Sequence, residues 1–268
     1  IDDDATSTLF GSTTIADQDG DTVDLLITQK LADGSTDTTF ANGAITTLTD
    51  TTSTITKNGD GTYTVAGLTV TAAQSLIQAL VFTPTENQVA VDGTVATTFE
   101  VSVDDGTATA VTDTVTVVTA TSVNTAPTAA SITATAIDEN TDTTGAVTVG
   151  TLSTTDADPS DTFTYTFTTT STGTDNASFQ IGGTNNDELQ VKAGVTLDFE
   201  ATSSYAVEVT TTDAAGGVFV KDLTISVNDI NDAPVIASTA TAAIDDDATS
   251  TLFGSTTIAD QDGDTVDL

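Results

Sequence analysis

Carboxylates are the side chains through which this chain could do chemistry. Its 268 residues include 40 Asp and Glu, only 4 Lys or Arg, and no His, Cys, Met or Trp. Without His or Cys, the chain has no Ser-His or Cys-His nucleophile and none of the usual zinc, haem or iron–sulfur ligands. Grouped carboxylates favour a hard cation as the natural small partner.

The charge balance excludes several classes of partner and activity. A formal net charge of −36 opposes binding to nucleic acid and to anionic membrane surfaces. No apolar run approaches the roughly 20 residues of a membrane helix, so this segment is not expected to insert into a membrane. Paired carboxylates could serve a glycosidase, but aromatic sugar platforms are missing, and we predict that the chain is not an enzyme.

The clearest organisation is a repeat. Residues 1–25 recur letter for letter, 243 residues later, as residues 244–268. A weaker repeat lies within this unit, because the segment from Thr135 resembles that from Ala242, and the segment from Tyr205 resembles that from Thr98. The sequence therefore predicts a tandem array whose 243-residue unit holds two related domains, A and B.

Two prolines mark the predicted boundaries. Asn-Thr-Ala-Pro ends at Pro127 and Asn-Asp-Ala-Pro ends at Pro234, each after a long alternating strand. We expect domain A at residues 1–124, lacking its first strand, domain B at 125–234, and the start of the next copy of A at 235–268. Such short junctions favour stiff, abutted domains.

The residue pattern predicts an all-β fold. Val, Ile and Thr are abundant, and Thr162–Thr168 alternates aromatic residues with Thr at the period of a half-buried strand. Seven short strands in domain B, the first near residues 131–138, indicate a Greek-key β-sandwich. The strand over Val218–Val227 has one slip in phase, which predicts a bulge. Thr71–Leu80 has the spacing of a short amphipathic helix that packs as a connector.

Acidic motifs recur along domain B in a definite order. They are Asp138-Glu139-Asn140, Asp156-Ala157-Asp158, Leu197-Asp198-Phe199-Glu200, Asp213, and Asp229-Ile230-Asn231-Asp232-Ala233-Pro234. In this order they resemble the motifs of a cadherin repeat, and the resemblance covers the whole of domain B. It implies tandem cadherin/Ig-like Greek-key β-sandwiches, with calcium ions at the domain junctions.

The resemblance also implies a ligand set for each junction. At the B-to-A junction it implies Glu139, Asp198, Glu200, Asp229, Asn231 and Asp232 from the upstream side, with Asp260 and Asp262 from the downstream side. At the A-to-B junction it implies Asp156, Asp158, Asp213 and Asp3. Calcium is chemically sensible there, because clustered carboxylates would otherwise repel one another.

Domain A is similar to the bacterial cadherin-like and VCBS-type repeats of very large surface proteins. It keeps Asp17, Asp19 and Asp104, the equivalent downstream-side ligands, but has no Leu-Asp-x-Glu motif. Its exit linker Ser122-Val123-Asn124-Thr125 lacks two of the aspartates found in domain B. We therefore predict unequal junctions, with calcium bound more strongly at B-to-A than at A-to-B.

These features together predict a structural protein. The expected role is a calcium-stiffened spacer repeat of a very large extracellular protein or adhesin at a bacterial cell surface, with neighbouring copies of the repeat as partners. One alternative is a subunit of an extracellular filament or sheath, joined to other chains by lateral or strand-addition contacts. Direct binding of a glycan or a partner cadherin is a third interpretation.

Overall fold

The computed structural model describes residues 1–46, 55–168, 174–238 and 256–263. Its residues divide into two compact units. The first unit comprises Ile1–Ala126, Asp156–Thr162 and Ala214–Gly217, and the second comprises Pro127–Thr155, Phe163–Asp213 and Val218–Leu268. Most of the predicted next copy of domain A, at 239–255 and 264–268, lies outside the described residues.

The described residues of the first unit form two sheets and one helix. Its elements are β1 Ser7–Thr8, β2 Thr22–Lys30, β3 Gly43–Thr46, β4 Thr56–Lys57, β5 Thr62–Thr69, α1 Val70–Gln78, β6 Val81–Pro84, β7 Thr94–Asp104 and β8 Val111–Thr121. One sheet has the strand order β4-β5-β2-β7-β8, and the other has the order β1-β6-β3. An isolated parallel bridge joins Asp2 to Thr121.

Apolar residues from both sheets form the core of the first unit. Phe82 packs edge-on against Phe99, and Ile27, Ile45 and Tyr63 complete the fully buried centre. The predicted connector helix is confirmed as α1. Thr69 caps its N-terminus by accepting a hydrogen bond from the Ala72 amide, and the face bearing Ala73, Leu76 and Ile77 is buried.

The described residues of the second unit form two main sheets. Its elements are β9 Ala129–Ile132, β10 Ala136–Asp138, β11 Val147–Thr155, β12 Thr164–Phe167, β13 Phe179–Gly182, β14 Glu188–Val191, β15 Ser204–Thr212, β16 Val218–Asn228, β17 Val235–Ser238 and β18 Thr256–Ala259. The sheet orders are β10-β16-β15-β12 and β13-β14-β11-β9, and β17 pairs with β18. A single core of residues from both main sheets, including Phe179, Leu189 and Ile225, lies between them.

The structure corrects two details of the predicted strands. The first strand of domain B, expected as one strand near 131–138, is divided between β9 and β10, which belong to different sheets. The bulge predicted in β16 is wrong, because β15 and β16 pair without a register shift. The slip in phase has another cause: Val218 and Val220 lie on the exposed face of the strand, whereas Leu223 and Ile225 are buried.

The described ranges confirm the predicted all-β class, with paired sheets enclosing a core in each unit. Among these residues, no helix is long and apolar enough to cross a membrane.

Candidate metal centres

Four carboxylates from separate parts of the second unit converge on one point. Glu139 follows β10, Glu200 lies before β15, Asp229 follows β16, and Asp262 follows β18. Each offers an oxygen atom, and these oxygens all lie within 4.8 Å of one another. We call this group the four-carboxylate site.

Glu139 ties three segments of this site together. Its Oε2 accepts a hydrogen bond from the Phe199 amide, and its Oε1 accepts one from the Ile230 amide, each at 2.7 Å. The side chain is 2% exposed. A buried carboxylate is tolerated when its charge is met by hydrogen bonds of this kind. Glu139 therefore holds in place the Leu197–Glu200 loop and the segment that follows β16.

Asp262 is held by a short acidic turn. Its backbone amide donates to Asp260 Oδ1 at 3.1 Å, and its Oδ2 accepts from the Asp232 amide at 2.5 Å. Its Oδ1 is buried and has no hydrogen-bond partner among the described residues. A buried carboxylate oxygen without a partner is costly, and a bound cation would satisfy it.

The electrostatics of the site also favour a cation. The hydrogen bond from its own backbone amide lowers the pKa of Glu200, while desolvation and the charges of Glu139, Asp262 and Asp229 raise it. The raising influences prevail, and the pKa of Glu200 lies above its ordinary value. The four carboxylates therefore repel one another, and a divalent cation would relieve that repulsion.

The first unit has a smaller acidic group, formed by Asp156, Asp158 and Asp161, which we call the three-carboxylate site. The Asp158 amide donates to Asp156 Oδ1 at 2.9 Å, and Asp158 Oδ2 accepts from the Thr125 amide at 2.7 Å. Asp158 is 4% exposed, and its Oδ1 and Asp156 Oδ2 are buried without hydrogen-bond partners in the part of the chain that the structure describes. These atoms could also serve as cation ligands.

Asp3 occupies the position in the first unit that Glu139 occupies in the second. Its Oδ2 accepts a hydrogen bond from the Asn87 amide at 2.8 Å, and its Oδ1 accepts one from the Val123 amide at 3.1 Å. It is buried, like Glu139. Both of its oxygens are thus engaged by backbone amides.

The shared contacts align the two sites residue by residue. The amides of Asn87, Val123 and Thr125 bond as those of Phe199, Ile230 and Asp232 do. The side chains at the aligned positions differ, because Gln88, Ser122 and Thr125 stand where the second unit has Glu200, Asp229 and Asp232. The upstream half of the site in the first unit therefore has a backbone framework similar to that in the second unit, but carries fewer charges.

The remaining predicted acidic ligands lie outside the two groups among the described residues. Asp198 Oδ1 accepts from the Ala201 amide, Asn231 Nδ2 donates to the Asp232 carbonyl, and Asp213 is buried at the end of β15. Asp104 Oδ1 accepts from the Gly106 amide.

Asp17 and Asp19 repeat the acidic turn of Asp260 and Asp262. The Asp19 amide donates to Asp17 Oδ1 at 3.1 Å, the same bond that the identical string forms around Asp262.

The sequence did not predict Asp161, which joins the three-carboxylate site. Its position three residues after Asp158, past a proline, was the available signal.

The donor chemistry of both groups suits a hard divalent cation. All the donors are oxygens, which calcium and magnesium prefer, whereas zinc and copper prefer nitrogen and sulfur. Carboxylates drawn from several separate segments match the irregular, high-coordination shell of calcium more closely than the strict octahedron of magnesium. The residues present fit a calcium ion.

Comparison with known proteins gives matches in structure alone. No family model and no curated protein sequence matches the chain. Among solved structures, the protocadherin GammaB4 extracellular domain is similar at a TM-score of 0.41 and 16% identity, covering 97% of this chain and 33% of that one. Mouse cadherin-23 EC22-24 gives 0.39 and 16%, covering 88% and 65%, and the human desmocollin-1 ectodomain gives 0.34 and 15%, covering 78% and 36%. The chain spans about a third of the first of these structures.

Proposed function

We propose that this chain is a calcium-binding structural repeat of a large extracellular protein, acting as a stiff spacer. The four-carboxylate site is the observation that carries the proposal. Four segments bring acidic oxygens within 4.8 Å of one another. Asp262, one of the four residues, has a buried Oδ1 without a hydrogen-bond partner among the described residues. A calcium ion there would neutralise the group.

The site would stiffen the chain because of where its ligands lie in the sequence. Asp229 follows the last long strand of the second unit, and Asp262 lies in the segment that begins after Pro234. A cation held by both, and by Glu139 and Glu200, would tie the acidic turn of Asp260 and Asp262 to the end of the sandwich. Without the cation, mutual repulsion of the carboxylates would weaken that attachment.

The exact sequence repeat supports the spacer role over a specific binding role. A spacer needs length and uniform mechanics, and residues 1–25 recur unchanged as residues 244–268. Extracellular fluid supplies the calcium that such sites use at millimolar affinity. We propose on these grounds that the protein works outside the cell, and the resemblance of domain A to bacterial VCBS-type repeats extends the proposal to a bacterial cell surface.

Calcium-dependent stability and shape test this proposal together. Calcium should raise the melting temperature by an amount that grows with the logarithm of its concentration above the dissociation constant, while magnesium at the same concentration should raise it less. Small-angle scattering should give a larger maximum dimension in calcium than in chelator. Identical melting and identical scattering in calcium and chelator would refute the proposal.

The identical repeat offers a matched control for this experiment. Asp262→Asn removes a carboxylate of the four-carboxylate site, and Asp19→Asn makes the same change in the same sequence string of the first unit. Asp262→Asn should abolish most of the calcium response, and Asp19→Asn should preserve it. Equal losses in both variants would mean that the response comes from general acidity.

A further inference from the structure

Asparagine followed by glycine occurs twice in the sequence, at Asn42-Gly43 and at Asn58-Gly59. In such a pair the glycine nitrogen can attack the asparagine side chain with little hindrance, because glycine has no Cβ to shield it. Both pairs lie in the first unit, and the sequence of the second unit contains none. Since the two pairs are chemically the same, any difference in their reactivity must come from the fold.

The fold holds the pair Asn42-Gly43 in place at the start of β3. Asn42 is 8% exposed, its side chain donates to the Ala96 carbonyl at 3.3 Å, and its amide donates to Asp37 Oδ2 at 3.0 Å. Gly43 is buried, and its amide, which would have to attack, donates to the Phe40 carbonyl at 3.2 Å. Attack at this pair therefore requires the local structure to open first.

The pair Asn58-Gly59 lies in the turn between β4 and β5. The Asn58 amide donates to the Thr62 carbonyl at 2.8 Å, which leaves residues 59–61 as a three-residue loop. Gly59 is exposed, and its amide donates no hydrogen bond to any described residue. A Cβ built at Gly59 would meet no described atom within 4 Å. The attacking nitrogen therefore lies in open space, where solvent can remove its proton.

Hydroxyl groups hold the side chain of Asn58. Its Nδ2 donates to Thr62 Oγ1 at 2.9 Å and to Thr64 Oγ1 at 3.3 Å, and Asn58 is half-buried. At a partly exposed position water can replace such bonds at small net cost. The Asn58 side chain can therefore turn towards the Gly59 nitrogen while the strands remain paired.

We propose that Asn58 is a site of spontaneous deamidation, with water as the co-reactant. The Gly59 nitrogen forms a bond to Asn58 Cγ, the bond from Cγ to Nδ2 breaks, and ammonia leaves with the proton that the Gly59 nitrogen gave to solvent. Water then opens the cyclic imide, at one carbonyl to give aspartate and at the other to give isoaspartate. No group is oxidised or reduced, and the inference does not depend on calcium binding.

Modification of this turn acts on the edge of the five-stranded sheet. β4 lies at the end of that sheet and pairs with β5, with Lys57 opposite Tyr63. Isoaspartate adds an extra carbon atom to the main chain of the turn and so disturbs the register of this pair. Ile55, just before β4, is 2% exposed and belongs to the core. We therefore expect the first unit to loosen with age at this edge, and the second unit to be spared.

Peptide mapping of protein aged in solution tests this inference. Cleavage after aromatic residues and leucine places Asn42 in residues 41–48 and Asn58 in residues 49–63. Folded protein is kept at a fixed, mildly alkaline pH, and conversion of each asparagine to an acid is followed by mass. We expect Asn58 to react at least about tenfold faster than Asn42, since Asn42 reacts only through local opening. In guanidinium chloride, where the fold protects neither pair, the two rates should agree within about threefold.

Gly59→Ala is the matched variant. Its added Cβ shields the attacking nitrogen but meets no described atom within 4 Å, and the φ of Gly59 lies outside the left-handed region. The variant should slow conversion of Asn58 at least about tenfold without destabilising fresh protein. After ageing, hydrogen exchange over residues 55–63 should be faster in the unmodified chain than in the variant.

Three results would each overturn the proposal. The first is an equal rate at Asn42 and Asn58 in folded protein. The second is unchanged conversion of Asn58 in Gly59→Ala. The third is an Asn58 that stays unreacted in folded protein while both pairs react in denaturant.

Discussion

The four-carboxylate and three-carboxylate sites share a backbone framework but differ in charge. In each, an acidic side chain, Glu139 or Asp3, accepts two backbone amides, and an Asp-x-Asp turn receives a third amide from the linker. The aligned side chains are Glu200 and Asp229 in one site and Gln88 and Ser122 in the other. From this comparison we expect the hydrogen bonds to maintain the framework and the exchangeable side chains to set the affinity for a cation.

Among the variants that test this comparison, loss of Glu139 should have the largest effect on stability and on calcium affinity. Glu139→Gln removes a buried charge that accepts two amides at 2.7 Å and takes a carboxylate from the site. We expect the second unit to lose about 2–4 kcal/mol of unfolding free energy, together with most of its calcium affinity. Urea denaturation, followed by hydrogen exchange of peptides from each unit, measures the first, and calorimetric titration measures the second.

Asp3→Asn is the matched variant in the first unit. It should destabilise that unit by a comparable amount, because Asp3 also accepts two amides. Its effect on calcium binding at the four-carboxylate site should be negligible. A calcium loss as large as that of Glu139→Gln would contradict the assignment of Asp3 and Glu139 to separate sites.

Removing a single ligand should have the next largest effect. Asp262→Asn leaves the turn free to form but replaces the carboxylate by a neutral amide. The Oδ1 atom of that carboxylate is buried and has no hydrogen-bond partner among the described residues. Calcium affinity should fall by at least about tenfold, since one of four charges is lost. Unchanged affinity in calorimetric titration would remove Asp262 from the site.

The reverse test adds carboxylates to the site in the first unit. Gln88→Glu combined with Ser122→Asp places carboxylates at the positions aligned with Glu200 and Asp229. We expect about a tenfold gain in calcium affinity of the first unit, and lower stability in chelator because the buried charge at position 122 then lacks a counter-ion. The single change Gln88→Asn, which adds no charge, is the control and should leave calcium affinity unaltered.

The sequence predicted the acidic turns better than it predicted the residues that lie next to them. Asp-x-Asp directly after a strand forms a local turn, and Asp17, Asp156 and Asp260 each accept the amide two residues on. Asp161 was overlooked because its place in the group depends on the path of the chain after Pro159. Local spacing cannot specify such a path.

The fold class was predictable, whereas the assignment of strands to sheets was not. Alternation over Thr162–Thr168 indicated a half-buried strand, and β12 lies there at Thr164–Phe167. The division of residues 131–138 into β9 and β10 follows from pairing with strands far away in sequence. Val218 and Val220 implied a bulge only because apolar residues were assumed to face the core, and both are exposed.

The smallest expected effect is a difference between the two units in how their stability depends on pH. Burial raises the pKa of Asp37, but hydrogen bonds from the Asn42 and Ala41 amides, Gln29 and Thr39 outweigh it, and the pKa is lowered from 3.8. Its ionised form therefore stabilises the first unit above about pH 4, and this contribution is lost as the pH falls through the lowered pKa.

Asp37→Asn should accordingly cost the first unit about 1–2 kcal/mol at neutral pH. The difference from the unmodified chain should hold down to about pH 4 and shrink below it. Urea titrations at a series of pH values measure this, with hydrogen exchange of the second unit as the internal control. A difference that grows as the pH falls would contradict the sign.

Metal occupancy at limiting calcium tests the central claim most directly. Crystals grown with calcium added in steps, and measured by anomalous scattering, report the occupancy of each site separately. We predict that the site of Glu139, Glu200, Asp229 and Asp262 fills first, while the site of Asp156, Asp158 and Asp161 fills only at higher concentration. Equal occupancy throughout the series, or filling in the opposite order, would contradict the account.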